Sequence, residues 1–154
     1  MITTLLILHG LIAVALMGSI THQTLALCWP AKRAEGFVEA FRAVKAARYT
    51  TANIVLYLVT MMVGAVIYTA YRNAVSPYLN SARLNVINGS FELKEQFAAI
   101  GLGLLPLYWL VWRQPLDPAH ATARIAVTGI ICFIVWYSFL VGHILNNVRG
   151  LFGQ

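Results

Sequence analysis

Four histidines carry the residue types best suited to chemistry in this chain: His9, His22, His120 and His143. An ionisable side chain inside an apolar segment is costly, and such residues usually mark functional sites. His9 lies near the start of the first apolar run, and His143 lies near the end of the last. With an even number of crossings, those two positions fall on the same side of a bilayer. At 1.5 Å rise per residue, both would sit roughly 8–10 Å below that surface. Two imidazoles at matching depth on different helices can bind one metal ion or the two axial positions of one haem iron. Gly10 follows His9 and Gly142 precedes His143. Small residues beside a ligand let a flat macrocycle approach the helix. The alternative is that both rings only hydrogen-bond across helices.

His22 is separated from His9 by 22 − 9 = 13 positions, which turns it about 140° round a helix. It therefore faces another way and is the weaker cofactor-binding candidate. His120, beside Pro118 in the third loop, pairs with His22 only if both face one site; a solvated loop residue is the simpler reading. Glu92 and Glu95 offer a second chemistry. They stand on the His9 and His143 side, so two carboxylates and two histidines would suit a non-haem metal site. Lys94 stands between them, and Glu95 at a helix start also has an ordinary dipole role.

The elements that must position these residues follow from hydropathy. The chain has 154 residues, 60% hydrophobic and only 10% charged, far from the soluble average of about a quarter charged. Four apolar runs cover residues 2–29, 50–71, 96–112 and 125–148. About 20 apolar residues cross a hydrocarbon core of about 30 Å, and a spanning segment must satisfy its own backbone, so each run reads as a helix. The expected fold is a single integral membrane domain over residues 1–154. It is all-α: a four-transmembrane-helix bundle with Pro106 placed to kink the third span. Phe37, Phe41 and Val44 recur at helical spacing in loop one and suggest a short interfacial amphipathic helix. Loop two, residues 72–95, carries the turn signals Ser76-Pro77 and Asn88-Gly89 and is expected as a compact cap.

Small and polar residues mark inward faces in a membrane bundle. Asn53, Tyr57, Thr60, Gly64, Tyr68 and Tyr71 advance by three or four and form one stripe. Gly129, Cys132, Trp136, His143 and Asn147 form a second on the fourth run. Glu95, Ala99, Leu102, Pro106, Trp109 and Arg113 form a third. Helix packing alone would also account for all three.

Of the 11 basic residues, seven lie in loops one and three and four in the termini and loop two. By the positive-inside rule both termini face the periplasm of a bacterial inner (cytoplasmic) membrane. The formal charge of +6 then reads as topology and lipid contact rather than nucleic-acid binding. The first run lacks a basic n-region and is too long for a signal-peptide core. Cys28 and Cys132 occupy different spans and suggest no disulfide framework or zinc site. Asp117 is the one aspartate, and neither a phosphate loop nor a Ser-His-Asp set is present, so the chain is not expected to catalyse a reaction alone.

His9 in LLILHGLIAVAL, His22 in GSITHQTLAL and His143 in FLVGHILNN make the architecture resemble the small four-helix b-type cytochrome and membrane-anchor subunits of respiratory complexes. The paired histidines about 14 apart on each of two helices, frequent in that group, are not present. The resemblance implies one haem b between His9 and His143. It also implies electron transfer within a larger complex, with other membrane subunits, lipids, and a quinone or periplasmic cytochrome as partners. A cofactor-free structural subunit and a small metal- or haem-handling assembly protein are the competing expectations.

Overall fold

The computed structural model describes residues 2–28, 36–37 and 45–151. Helix α1 spans Ile2–Cys28. A 3-10 turn, Ala46–Tyr49, leads into α2, Thr50–Ala70. A π turn, Tyr71–Val75, joins α2 to the short α3, Ser76–Ser81. Helix α4 covers Asn85–Trp112. A 3-10 turn, Pro118–His120, opens α5, Ala121–Leu151. No strand occurs among the described residues. Four helical segments are long and apolar enough to cross a membrane: 2–28, 46–81, 85–112 and 118–148. The described residues are all-α, and their four long apolar helices are those expected of a multi-pass membrane protein. Most of the expected loop-one helix, including Phe41 and Val44, lies outside the described residues; Phe37 is described and exposed.

Each spanning helix packs on its neighbours in the chain, and α1 closes the ring on α5. Successive helices therefore run up and down. The start of α1 and the end of α5 share one end of the bundle. Apolar side chains such as Ile7, Leu11, Met62 and Phe133 point outward, as hydrocarbon demands.

Loop two is largely helical, and its two turn signals do not fall at its turn. Ser76-Pro77 starts α3, with the proline in the first turn, where its missing N–H costs nothing. The preceding π turn, closed by Ser76 N–H to the Tyr71 carbonyl, absorbs the change of register. Asn88-Gly89 lies inside α4. Asn88 is tied down instead: Tyr71 Oη donates to Asn88 Oδ1, and Asn88 Nδ2 donates to Asn80 Oδ1 at 3.1 Å. The real turn is at Arg83, with φ 59°. Leu84 N–H bonds to the Leu79 carbonyl at 2.8 Å and Arg83 N–H to the Asn80 carbonyl at 3.1 Å. That is a Schellman cap with arginine in the left-handed position where glycine is normal. Arg83→Gly is therefore expected to stabilise the protein by about 0.5–1 kcal/mol, read as a later midpoint in denaturing-detergent titration. An unchanged or earlier midpoint would contradict the strain assigned to Arg83.

The α2 stripe faces inward as its spacing indicates: Asn53, Tyr57 and Tyr71 are buried, and Thr60, Gly64 and Tyr68 are half-buried. The α4 stripe does not. Ala99, Leu102, Pro106, Trp109 and Arg113 are exposed, while Phe91, Ala98, Gly101, Leu105, Tyr108, Val111 and Trp112 are buried. The true inward face is rotated by one residue, about 100°. On α5 the buried side chains are Arg124, Val127, Thr128, Ile131, Ile134, Val135 and Leu145; Trp136, His143 and Asn147 are exposed.

Two cores result. The larger unites Leu16, Ile20, Tyr57, Leu105, Tyr108, Trp112 and Ile131 towards the end of loops one and three. Around it, Gln23, Asn53, Tyr108, Thr50 and Ser19 form a buried hydrogen-bonded cluster across α1, α2 and α4. Arg124 closes that end by donating to the Val111 carbonyl at 2.7 Å and the Asp117 carbonyl at 2.9 Å. The smaller core unites Tyr71, Leu79, Phe91 and Leu145 at the opposite end, with the Tyr71 and Phe91 rings 3.9 Å apart.

Candidate functional site

Between these two cores the four spanning helices leave a cavity of about 730 Å³. That is the size of a ligand site, which is mostly apolar with a few convergent polar groups. All four spans contribute to its wall. The helical period puts His9, Gly10 and Ala13 of α1 on it, with Tyr57, Thr60, Gly64 and Tyr68 of α2. Lys94, Glu95 and Ala98 come from α4, and Ser138, Gly142 and His143 from α5.

His9 is half-buried, and its Nδ1 has no hydrogen-bond partner. The ring lies against α2 at Gly64: a Cβ at that glycine would stand 3.2 Å from His9 Cε1. A larger residue there would make the imidazole give by a few tenths of an ångström. His143 lines the same cavity, exposed, with its ring parallel to that of Phe139 (centroids 6.3 Å apart, 2° between planes). Gly10 and Gly142 both face open space: a Cβ at either would meet nothing within 4 Å. The Ser138 hydroxyl is a second buried polar atom on this wall without a partner. Leaving a buried polar group unpaired costs about 1–3 kcal/mol, so His9 Nδ1 and Ser138 Oγ are the wall atoms best placed to bond a ligand.

The other candidates are placed elsewhere. His22 lies towards the far end of α1, its ring 4.9 Å from that of Tyr49, and is not part of the cavity wall. His120 is exposed, with Nδ1 3.4 Å from Asp117 Oδ2. His22 and His120 are not brought to the cavity. Glu92 pairs with Arg72 at 3.0 Å and accepts from Tyr68 Oη at 3.4 Å. It is not on the cavity wall. Glu95 is on that wall, in an ion pair with Lys94 at 2.6 Å. It is well inside α4 rather than at a helix start. Among the described residues, no group of three or more His, Cys, Asp or Glu side chains is placed to hold a metal ion.

No protein-family model, curated protein or solved structure matches the chain. The chemistry of the cavity therefore has to be argued from its own wall.

Sequence reasoning overlooked Lys94, Ser138 and Tyr108. Lys94 counted only as a charge between two glutamates. Ser138 falls on the α5 face that continues Ile131, Ile134 and Val135, and a serine in register with that apolar face was the available signal. Tyr108 follows Leu105 and Gly101 on the face that the Trp109 and Arg113 stripe displaced.

Proposed function

We propose that the chain is an accessory or anchoring membrane subunit of a bacterial redox complex and holds one haem b. His9 and His143 are the two residues that would hold its iron. The carrying observation is that these two histidines, near opposite termini of the chain, line one cavity of ligand size inside the bundle. Haem sites in helical bundles are built from side chains on facing helices in this way.

The residues present fit the group. His9 Nδ1 is buried without a partner. Gly10 and Gly142 border open space beside the two histidines, room that a flat macrocycle needs. Lys94 is on the wall as well, its charge met by Glu95 at 2.6 Å. When bound, haem supplies reversible one-electron exchange. Electron partners would be neighbouring subunits and a quinone or a periplasmic cytochrome, with both termini on the periplasmic face of the inner membrane.

A cofactor-free structural subunit is the second reading. The pairing of the His143 ring with Phe139 favours it, since that ring already has a packing partner. The third reading, a metal- or haem-handling assembly protein, rests on the same wall used transiently.

The test is a reduced-minus-oxidised visible spectrum of protein purified from its own membranes, repeated on His9→Ala and His143→Ala. A b-type band in the native protein that is lost in both variants is the expected result. A native protein with no such band would leave the structural subunit as the reading. A band that survives both substitutions would reject the assigned ligands.

A further inference from the structure

We propose that the groove between α2 and α4 binds one anionic phospholipid, drawn from the leaflet on the side of loops one and three. The groove has a volume of about 630 Å³ and is walled chiefly by Ile54 and Leu58 of α2 with Leu102, Pro106, Trp109 and Leu110 of α4. These are the α4 residues that the packing turns away from the bundle. Such a trough on a spanning helix pair has to be filled by an acyl chain or by another helix.

Its length favours the chain. Its α4 wall runs from Leu102 to Leu110, 110 − 102 = 8 residues, about 12 Å of helix, and Arg113 stands just beyond it. One leaflet of a bilayer core is about 15 Å deep. The wall carries no hydrogen-bonding side chain except the Trp109 indole, so little in it would specify a partner helix.

Charge at the mouth favours an anionic head group. Arg113 caps α4 at that end, exposed, its guanidinium 5.7 Å from the centre of the Trp109 ring. Lys45 and Arg48, both exposed, stand before α2 at the same end. Among the described residues the ion pairs are Arg72–Glu92, Lys94–Glu95 and His120–Asp117. None involves Lys45, Arg48 or Arg113. An interfacial tryptophan beside an arginine with no ion pair among the described residues, over an apolar trough, suits a phosphate head with its tail below.

The experiment reconstitutes the full chain in nanodiscs of phosphatidylcholine with phosphatidylglycerol, then reads retained lipid by native mass spectrometry. The wild type should retain phosphatidylglycerol in preference to phosphatidylcholine. Each interfacial cation is worth roughly a five-fold preference, so Arg113→Gln should lower the ratio about five-fold. Arg72→Gln, at the opposite end, should leave it unchanged. Leu102→Trp, which fills the trough, should reduce both adducts. An unchanged ratio in Arg113→Gln overturns the proposal, as does an equal loss in Arg72→Gln. Undiminished lipid in Leu102→Trp overturns the groove as the seat. Should Leu102→Trp fail to fold, the two arginine variants decide alone.

Discussion

Gly101→Ala is expected to cost about 3 kcal/mol, at the upper end of what overpacking a tight core usually costs. Gly101 is buried on α4, and a Cβ there would stand 2.0 Å from Tyr57 Oη and 2.8 Å from its Cζ. The hydroxyl cannot swing aside cheaply. It is the end of a rigid ring, and it donates to the Ala98 carbonyl at 2.8 Å. The methyl must push α2 away from α4 or turn the ring out of its seat. Tyr57 also lines the cavity, so the floor of the candidate site would shift as well. Removing the hydroxyl relieves the closest contact. The double variant Gly101→Ala, Tyr57→Phe should therefore recover roughly half of the loss, a strong coupling between touching residues. The measurement is the denaturing-detergent midpoint of both variants and of Tyr57→Phe alone. Additive losses would mean that the hydroxyl is not what the methyl meets.

Asn53→Leu is expected to cost about 2 kcal/mol, from three interhelical hydrogen bonds worth about 0.6 kcal/mol each on average in membrane proteins. Asn53 Nδ2 donates to Gln23 Oε1 at 2.8 Å and to Tyr108 Oη at 2.9 Å. Its Oδ1 accepts from Ser19. The substitution removes the α2 side chain that bonds to both α1 and α4, and leaves the Tyr108–Gln23 bond between those two helices. Tyr108→Phe removes only the hydroxyl and leaves the Asn53–Gln23 bond in place, so its loss should be smaller, about 1 kcal/mol. Combined, the two should cost less than their sum, because they break one shared bond. The cluster lies at the far end from His9 and His143. Any haem band should therefore keep its position in both variants while their unfolding midpoints fall. A displaced band would show that the two ends are coupled more tightly than their separation implies.

How much of the site was legible depended on whether a residue's type limits where it can go. His9 is costly in lipid, so its inward placement could be argued from type alone. The α2 stripe was legible because Asn53, Tyr57, Tyr68 and Tyr71 all need partners and sit at helical spacing. The α4 stripe was misread because Pro106, Trp109 and Arg113 looked like interior markers. Tryptophan and arginine near a span end instead settle at the interface, where the ring meets head groups and the guanidinium meets water. Gly101 and Tyr108 took the interior: the glycine admits the Tyr57 hydroxyl, and Tyr108 finds Gln23 and Asn53. His143 shows the limit from the other side. Its type argued for burial, yet its ring is exposed and faces the cavity.

By itself, the sequence determined four spanning helices and the pairing of the first helix's start with the last helix's end. Both follow from backbone hydrogen bonding in hydrocarbon and from counting crossings, which need no knowledge of neighbours. The tertiary structure decided which 100° sector of α4 and α5 faces inward. It also decided that Asn88-Gly89 stays helical, and that His9, Ser138 and His143 line one cavity while Glu92 turns to Arg72. These are choices between faces of similar polarity. They are settled by which side chains find partners on another helix, a quantity that no single segment contains.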